Sequence, residues 1–484
     1  QIRFASTLTN NRSERQTFRV PVSSPADTGI RPLPSITHLW RNEIDFELRP
    51  YNSFGLRVSY VSLRDLQDYG DSTVMGRLLE QERRSLSGID VGLERARTLM
   101  TELSLAPRVS SWLRPRLTWT TTYVFARNPN RNDPLNPVRD SIEGFRLPET
   151  QSNGRQSELG ATVDLARLVS GVAGDSAIAS QIFGVLLPAD VSYRRDLRST
   201  YDRSSFDSDL GFRLGFGTLE TYRMRDGALA TATGDATTVQ ASGGARLPAS
   251  MQIRVSYRDF TQTAWALRGN RQTQVVLTQR EWPTVTFSWA WAPRSGLQSV
   301  ITNLSANARY RLVRNSSVQT LLSSSTSSPV ETQNNTVSLT PSATIVWRIG
   351  LTTAFQFTGG SGEGVTSGNV TESRRDDWGF NARYSFRLPE NLVRMRDRMN
   401  LMVSYNSSRV AVCLLRTGAE TCRTISDSRR RQFDLRIDTG FSETVRAGMS
   451  FSYVRSDLRH TASQLSQVVF AVFADVNLIA GQIR

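Results

Sequence analysis

The apolar residues of this chain recur at every second position, segment after segment. Trp378, Phe380, Ala382, Tyr384 and Phe386 form one apolar, aromatic series. The residues between them, Gly379, Asn381, Arg383, Ser385 and Arg387, are small or polar. A spacing of two assigns the two series to opposite faces of a β-strand. The same phase runs through Phe54, Leu56, Val58 and Tyr60, through Leu117, Trp119, Thr121, Tyr123 and Phe125, and through Leu304, Ala306, Ala308 and Tyr310. It recurs in Phe433, Leu435 and Ile437, and in Val468, Phe470, Val472 and Ala474. Counting such segments and the turns between them predicts on the order of 20 strands, antiparallel and sequential.

A transmembrane helix needs about 18 or more apolar residues in a row. The longest apolar run here is residues 468–474, so a helical membrane protein is excluded. A transmembrane barrel is not, because only alternate residues of each strand must be apolar. Many segments run past the five or six residues, roughly, of a soluble strand, and Phe, Tyr and Trp gather near strand ends as they do at bilayer interfaces. A long open sheet would also leave exposed edges that barrel closure removes. The expected fold is therefore all-β: a transmembrane antiparallel β-barrel, or a large part of one. A soluble β-rich adhesin or structural protein is the alternative. Residues 1–484 read as a single barrel region, expected to be the C-terminal part of a longer chain. Helical inserts are expected near 71–87 and near 174–188. The second of these rests on Ile178, Ile182, Val185 and Leu186, with Asp175 or Ser176 as cap and Pro188 as stop. Leu210, Phe212, Leu214 and Phe216 read as a strand, and residues 323–335 and 359–369 as loops.

The net charge is +15, and all 59 basic residues are arginine. They spread through the polar phases of the strands and do not gather in one patch, so no nucleic-acid partner is expected. On the lipid face at mid-membrane an arginine costs roughly 2–4 kcal/mol. Arg57, Arg213, Arg254, Arg309, Arg311, Arg383 and Arg436 are accordingly expected to face the lumen. Outer-membrane lipid and lipopolysaccharide are the expected surroundings, and the bacterial outer membrane the expected location.

Chemical motifs are sparse. The chain has two histidines, His38 and His460, far apart in sequence. That makes a His-centred metal site or triad a poor fit. The glycine-rich run 359–364 lacks the Gly-Lys-Ser/Thr ending of a phosphate loop and reads as a turn. Arg429, Arg430 and Arg431 read as a solvated loop. No catalytic, metal or cofactor-binding residue is expected, and the chain is expected not to be an enzyme. Cys413 and Cys422 flank the segment 414–421 between two strands, which suits a disulfide in an oxidising compartment. Two free thiols are the alternative.

Residues 62–71 (SLRDLQDYGD), 187–195 (LPADVSYRR) and 424–434 (TISDSRRRQFD), with the paired cysteines upstream of the last, resemble the C-terminal region of the SprA/Sov family. That family forms the outer-membrane translocon of the type IX secretion system. The resemblance implies a very wide single-chain barrel that passes folded proteins from periplasm to cell surface, opening sideways toward a partner barrel and closed by a periplasmic plug protein. It supplies no catalytic residues. The chain departs from the family in length, since on the order of 20 strands cannot make a barrel of about 36. The expected function is thus a protein-conducting outer-membrane channel that moves secreted protein substrates. A general porin or small-solute transporter is the alternative.

Overall fold

A computed structural model describes residues 1–15, 33–67, 91–127, 139–140, 144–145, 149–168, 184–202, 208–269, 271–293, 296–322, 329–366, 368–387, 398–416, 421–440 and 445–476. In chain order the strands begin with β1 (Ile2–Arg15), β2 (Leu33–Tyr51), β3 (Phe54–Asp65), β4 (Leu93–Leu105) and β5 (Leu113–Arg127). A two-residue pair follows, β6 (Arg139–Asp140) and β7 (Gly144–Phe145), then β8 (Glu149–Val163) and β9 (Leu186–Asp202). Two helical turns, α1 (Leu210–Arg213) and α2 (Leu219–Arg223), precede the small hairpin β10 (Met224–Arg225) and β11 (Ala228–Leu229). The long strands resume with β12 (Ala232–Leu247), β13 (Met251–Arg268), β14 (Arg271–Trp291), β15 (Ile301–Leu321) and β16 (Val330–Trp347). They continue through β17 (Leu351–Thr366), β18 (Asn369–Phe386), β19 (Met399–Leu415), β20 (Arg423–Gly440), β21 (Val445–Leu458) and β22 (Ser463–Val476).

Eighteen of these strands form one antiparallel sheet in chain order, with β6/β7 and β10/β11 set aside as separate hairpins. The all-β class expected from the alternation is the class found, with strands of 12 to 21 residues in that sheet. Proline marks some of its irregular points. Pro283 in β14 has no N–H to give the ladder, and the register with β15 shifts between Glu281 and Thr284. Among the described residues no pairing joins β1 to β22, so the sheet has two edges.

Register carries the alternation from strand to strand. Val285, Tyr310 and Leu339 are cross-strand partners in successive strands. So are Phe355, Phe380, Tyr405, Phe433, Tyr453 and Val468. One face of the sheet is thereby apolar and aromatic, and the other carries Arg254, Thr286, Arg309 and Thr340 in a single row.

The apolar band runs obliquely to these rows. The row that holds Val255, Val285, Tyr310 and Leu339 becomes Asp376, Arg409, Arg429 and Asp457 from β18 to β21. On those strands the apolar series lies toward the opposite end, at Phe380, Tyr405, Phe433 and Tyr453. A band that slips along the ladder in this way is a band crossed by tilted strands, the geometry barrel walls require.

Several local expectations are corrected. Residues 210–213 are helix, not strand: the Asp209 carboxylate accepts the Phe212 N–H at 2.9 Å and caps the turn. The 359–366 part of the expected loop is strand β17, and so are residues 330–335 in β16. Gly359 suits the strand because the Phe357 ring lies where a side chain would stand. Arg429, Arg430 and Arg431 lie within β20, paired to β19 and β21. Of the helix expected near 174–188, Leu186 and Pro188 are in strand β9, and residues 174–183 lie outside the described residues. The insert near 71–87 lies outside them entirely.

Candidate membrane interface and channel wall

Among the described residues the apolar face has no second layer of polypeptide over its band. Ile44, Leu159, Tyr193, Leu339, Phe355, Phe380, Tyr405 and Met449 are all exposed, and Phe470 is 65% exposed. Aromatic residues mark one rim of the band at Tyr60, Trp119, Tyr193, Tyr257, Tyr310, Trp378, Tyr405 and Tyr453. Trp289, Trp291, Trp347, Tyr384 and Phe386 mark the other. Two such girdles, with Ala, Val, Leu and Ile between, fit the two interfaces of a bilayer. Beyond the first rim the same face turns ionic: Arg409 forms a two-pronged pair with Asp427 at 3.0 and 3.1 Å, and Arg455 meets Asp457 at 3.0 Å.

The opposite face is the polar wall. Arg57 stands between Glu47 and Glu102 and pairs with Asp45 at 3.7 Å. Arg311 makes two contacts with the Glu281 carboxylate, and Arg436 pairs with Asp438 at 3.3 Å. Arg383 and Arg436 flank Met402 in one row. Arg254 and Arg309 flank Thr286, with Gln252, Ser288, Asn307 and Ser342 in the next row. Among the described residues neither Arg254 nor Arg309 has a carboxylate partner. All six arginines lie in the polar phase.

Arg213 departs from this set. It ends α1, its Nε donates to Ser208 Oγ at 2.9 Å, and its guanidinium lies 5.9 Å from the Tyr123 ring centre. It belongs to an insert, residues 208–231, whose packing the alternation does not reveal. Phe212 is 1% exposed among Tyr123, Tyr201, Phe125 and Ala230. The phenol of Tyr123 meets Ser208 Oγ at 2.8 Å, and that of Tyr201 donates to the Thr221 and Tyr222 carbonyls at 3.1 Å. Arg155 Nη1 donates to the carbonyl oxygens of Gly215 and Gly217. Tyr222 is fully buried, and burial pushes its phenol up to about 12. The Asp209 carboxyl is held below its ordinary value, first by the Phe212 N–H and then by Arg225. The sequence signal for this insert was a capping aspartate followed by Gly211, Gly215 and Gly217.

Cys413 and Cys422 are joined by a disulfide where β19 leads into β20. Glu372 lies beside it; both sulfurs are oxidised, which leaves that carboxylate as the one anionic ligand of the trio.

No protein-family model matches the chain, and no curated protein matches it. Among solved structures it is similar to the alcaligin outer membrane receptor FauA of Bordetella pertussis, with TM-score 0.42 and 9% identity over 99% of this chain and 66% of FauA. It is similar to the ferric yersiniabactin uptake receptor FyuA of Yersinia pestis, with TM-score 0.36 and 9% identity over 87% of this chain and 60% of FyuA. The chain thus spans less than two thirds of either receptor. It is also similar to a loop-deleted OmpT, an outer membrane protein of Vibrio cholerae, with TM-score 0.21 and 10% identity over 98% of this chain and 99% of OmpT. The expectation that the chain is not an enzyme is withdrawn. It had rested on missing sequence motifs alone, and strand pairing brings together side chains that no motif records.

Proposed function

We propose that this chain is the wall of a bacterial outer-membrane β-barrel and that the channel it lines conducts protein. The observation that carries the membrane location is the bare apolar band. Its side chains form one oblique band across the sheet, with aromatic rims on both sides and, among the described residues, no covering layer. In water a patch of that extent is an aggregation surface. In a bilayer it is the surface that makes the strands insert, while the arginine face meets water.

Conduction of protein is supported by the open edges. Eighteen long strands that, among the described residues, do not meet end to end suit the wall of a pore wider than they can enclose. The segments resembling the SprA/Sov family support the same reading, and with it a partner barrel, a periplasmic plug and secreted protein substrates. Lipopolysaccharide and outer-membrane lipid would then cover the apolar face.

Membrane fractionation and heat-modifiable migration in detergent test the first step. A chain that stays soluble and migrates alike with and without boiling would overturn it. Single-channel recording tests the second. Large, plug-sensitive conductance is the expected result, and small steady porin-like steps favour a small-solute transporter.

A further inference from the structure

We propose that the insert 208–231 is a seat for the membrane surface, a membrane-resting element on the outside of the wall and not a plug in its lumen. This rests on the membrane location proposed above. The face on which the insert packs decides its side. Positions 117, 119, 121 and 123 of β5 alternate onto one face, and Trp119 stands in one row with Leu103, Leu56 and Leu48 of the apolar band. The insert covers Tyr123 and Thr121 on that same face, just beyond Trp119.

The level of the insert is fixed by Phe216, whose ring centre lies 6.0 Å from that of Trp119 at the rim. The insert is itself two-sided. Phe212 and Tyr222 are buried against the sheet, whereas Leu210 is 68% and Phe216 60% exposed, and Met224 and Leu229 are exposed as well. Apolar side chains at a bilayer rim enter the headgroup and acyl boundary, as the apolar face of an interfacial helix does. Arg213 and Arg223 have no carboxylate partner among the described residues. They lie over Tyr123 and Trp265, at 5.9 and 4.7 Å from the ring centres. Cations so placed suit anionic lipid headgroups. The occupant is therefore the lipid surface, met by an apolar edge that continues the band.

The test uses the whole chain with Phe216→Cys, labelled with an environment-sensitive fluorophore. The native cysteines are in a disulfide, so among the described residues the new thiol is the one free to label. The labelled protein is reconstituted into vesicles of phosphatidylcholine and phosphatidylglycerol that carry a nitroxide either near the headgroup or near the chain end. Phe355→Cys, within the band, is the companion. The label at 216 is expected to lose most of its emission to the shallow nitroxide and little to the deep one, whereas the label at 355 responds to the deep one. If the label at 355 is quenched by lipid and the label at 216 responds only to aqueous iodide, or to neither quencher, the seat is overturned and the membrane location stands. If neither label is quenched by lipid, the membrane location itself fails.

Discussion

Arg155 donates to the Gly217 carbonyl oxygen at 3.0 Å while its guanidinium lies 5.0 Å from the Trp119 ring centre. One side chain thus ties the insert to the rim of the apolar band. A hydrogen bond from a charged donor contributes about 1.5–3 kcal/mol. Arg155→Ala is expected to raise the open population of the insert roughly tenfold to a hundredfold, with the barrel otherwise intact. Trypsin should then cut after Arg213 and Arg223, sites protected in the parent protein. Arg155→Lys should restore little, because an ammonium cannot reach two carbonyls and stack on the indole at once.

Gly215 tests the same docking from the other side. Its φ is +75°, and a Cβ there would stand 2.5 Å from Thr121 Cγ2. Both the backbone and the packing oppose a side chain. Gly215→Ala is expected to loosen the insert by on the order of 1–3 kcal/mol, read as faster amide exchange at Phe212 and Tyr222. Adding Thr121→Ser removes the clash but leaves the backbone strain, so rescue should be partial.

The barrel wall was legible in the sequence and the insert was not, for one physical reason. In β18 the period of two extends over five apolar positions from Trp378 to Phe386, longer than a helical turn can imitate. In Leu210, Phe212, Leu214 and Phe216 it spans only four, and Asp209 capping a short turn, with Gly215 at positive φ after it, outweighs it. Gly359, Gly360, Gly362 and Gly364 misled in the opposite direction. Glycine has low strand propensity, yet here the cross-strand partners and the Phe357 ring hold the chain extended. Arg429, Arg430 and Arg431 suggested a loop because charge was equated with solvent, whereas a strand that outruns the band is charged and still paired. That β1 and β22 do not pair with each other among the described residues depends on segments hundreds of residues apart, which no local pattern encodes.

Acid should release the insert. The Asp209 carboxyl titrates below its ordinary value of 3.8 because the Phe212 N–H and then Arg225 favour the charged form. A depressed value means that the stabilisation is complete above 3.8 and is lost as pH falls through the lower, folded-state value. Exchange at the Phe212 amide is expected to rise over that window beyond the intrinsic pH dependence. Asp209→Asn keeps a capping oxygen and cannot titrate, so this extra rise should vanish in it.

The polar wall should select for anions at one place. Arg254 and Arg309 are separated by a single strand, about 10 Å, close to the Debye length of about 10 Å at roughly 0.1 M salt. Their fields therefore overlap, and no carboxylate among the described residues offsets them. Replacing both with glutamate is expected to move the reversal potential under a salt gradient toward cation preference. The same change at Arg436, already paired with Asp438 at 3.3 Å, should move it less. Equal shifts at the two places would mean that the pairing seen on the wall does not set the local field.

Ala382 and Arg383 are neighbours in sequence on opposite faces of β18. Ala382 is the middle of the five apolar positions and pairs with Thr353 and Val403, while Arg383 pairs with Thr352 and Met402. Ala382→Arg would put a guanidinium at mid-band and is expected to cost about 2–4 kcal/mol of folding stability in lipid, measured as a lower urea midpoint in vesicles. Arg383→Ala, on the watered side, should stay within about 0.5 kcal/mol. A sheet whose apolar face met water would show no such gap, because there an added arginine on an exposed strand is nearly neutral. The difference between these two adjacent substitutions therefore reports which face meets hydrocarbon.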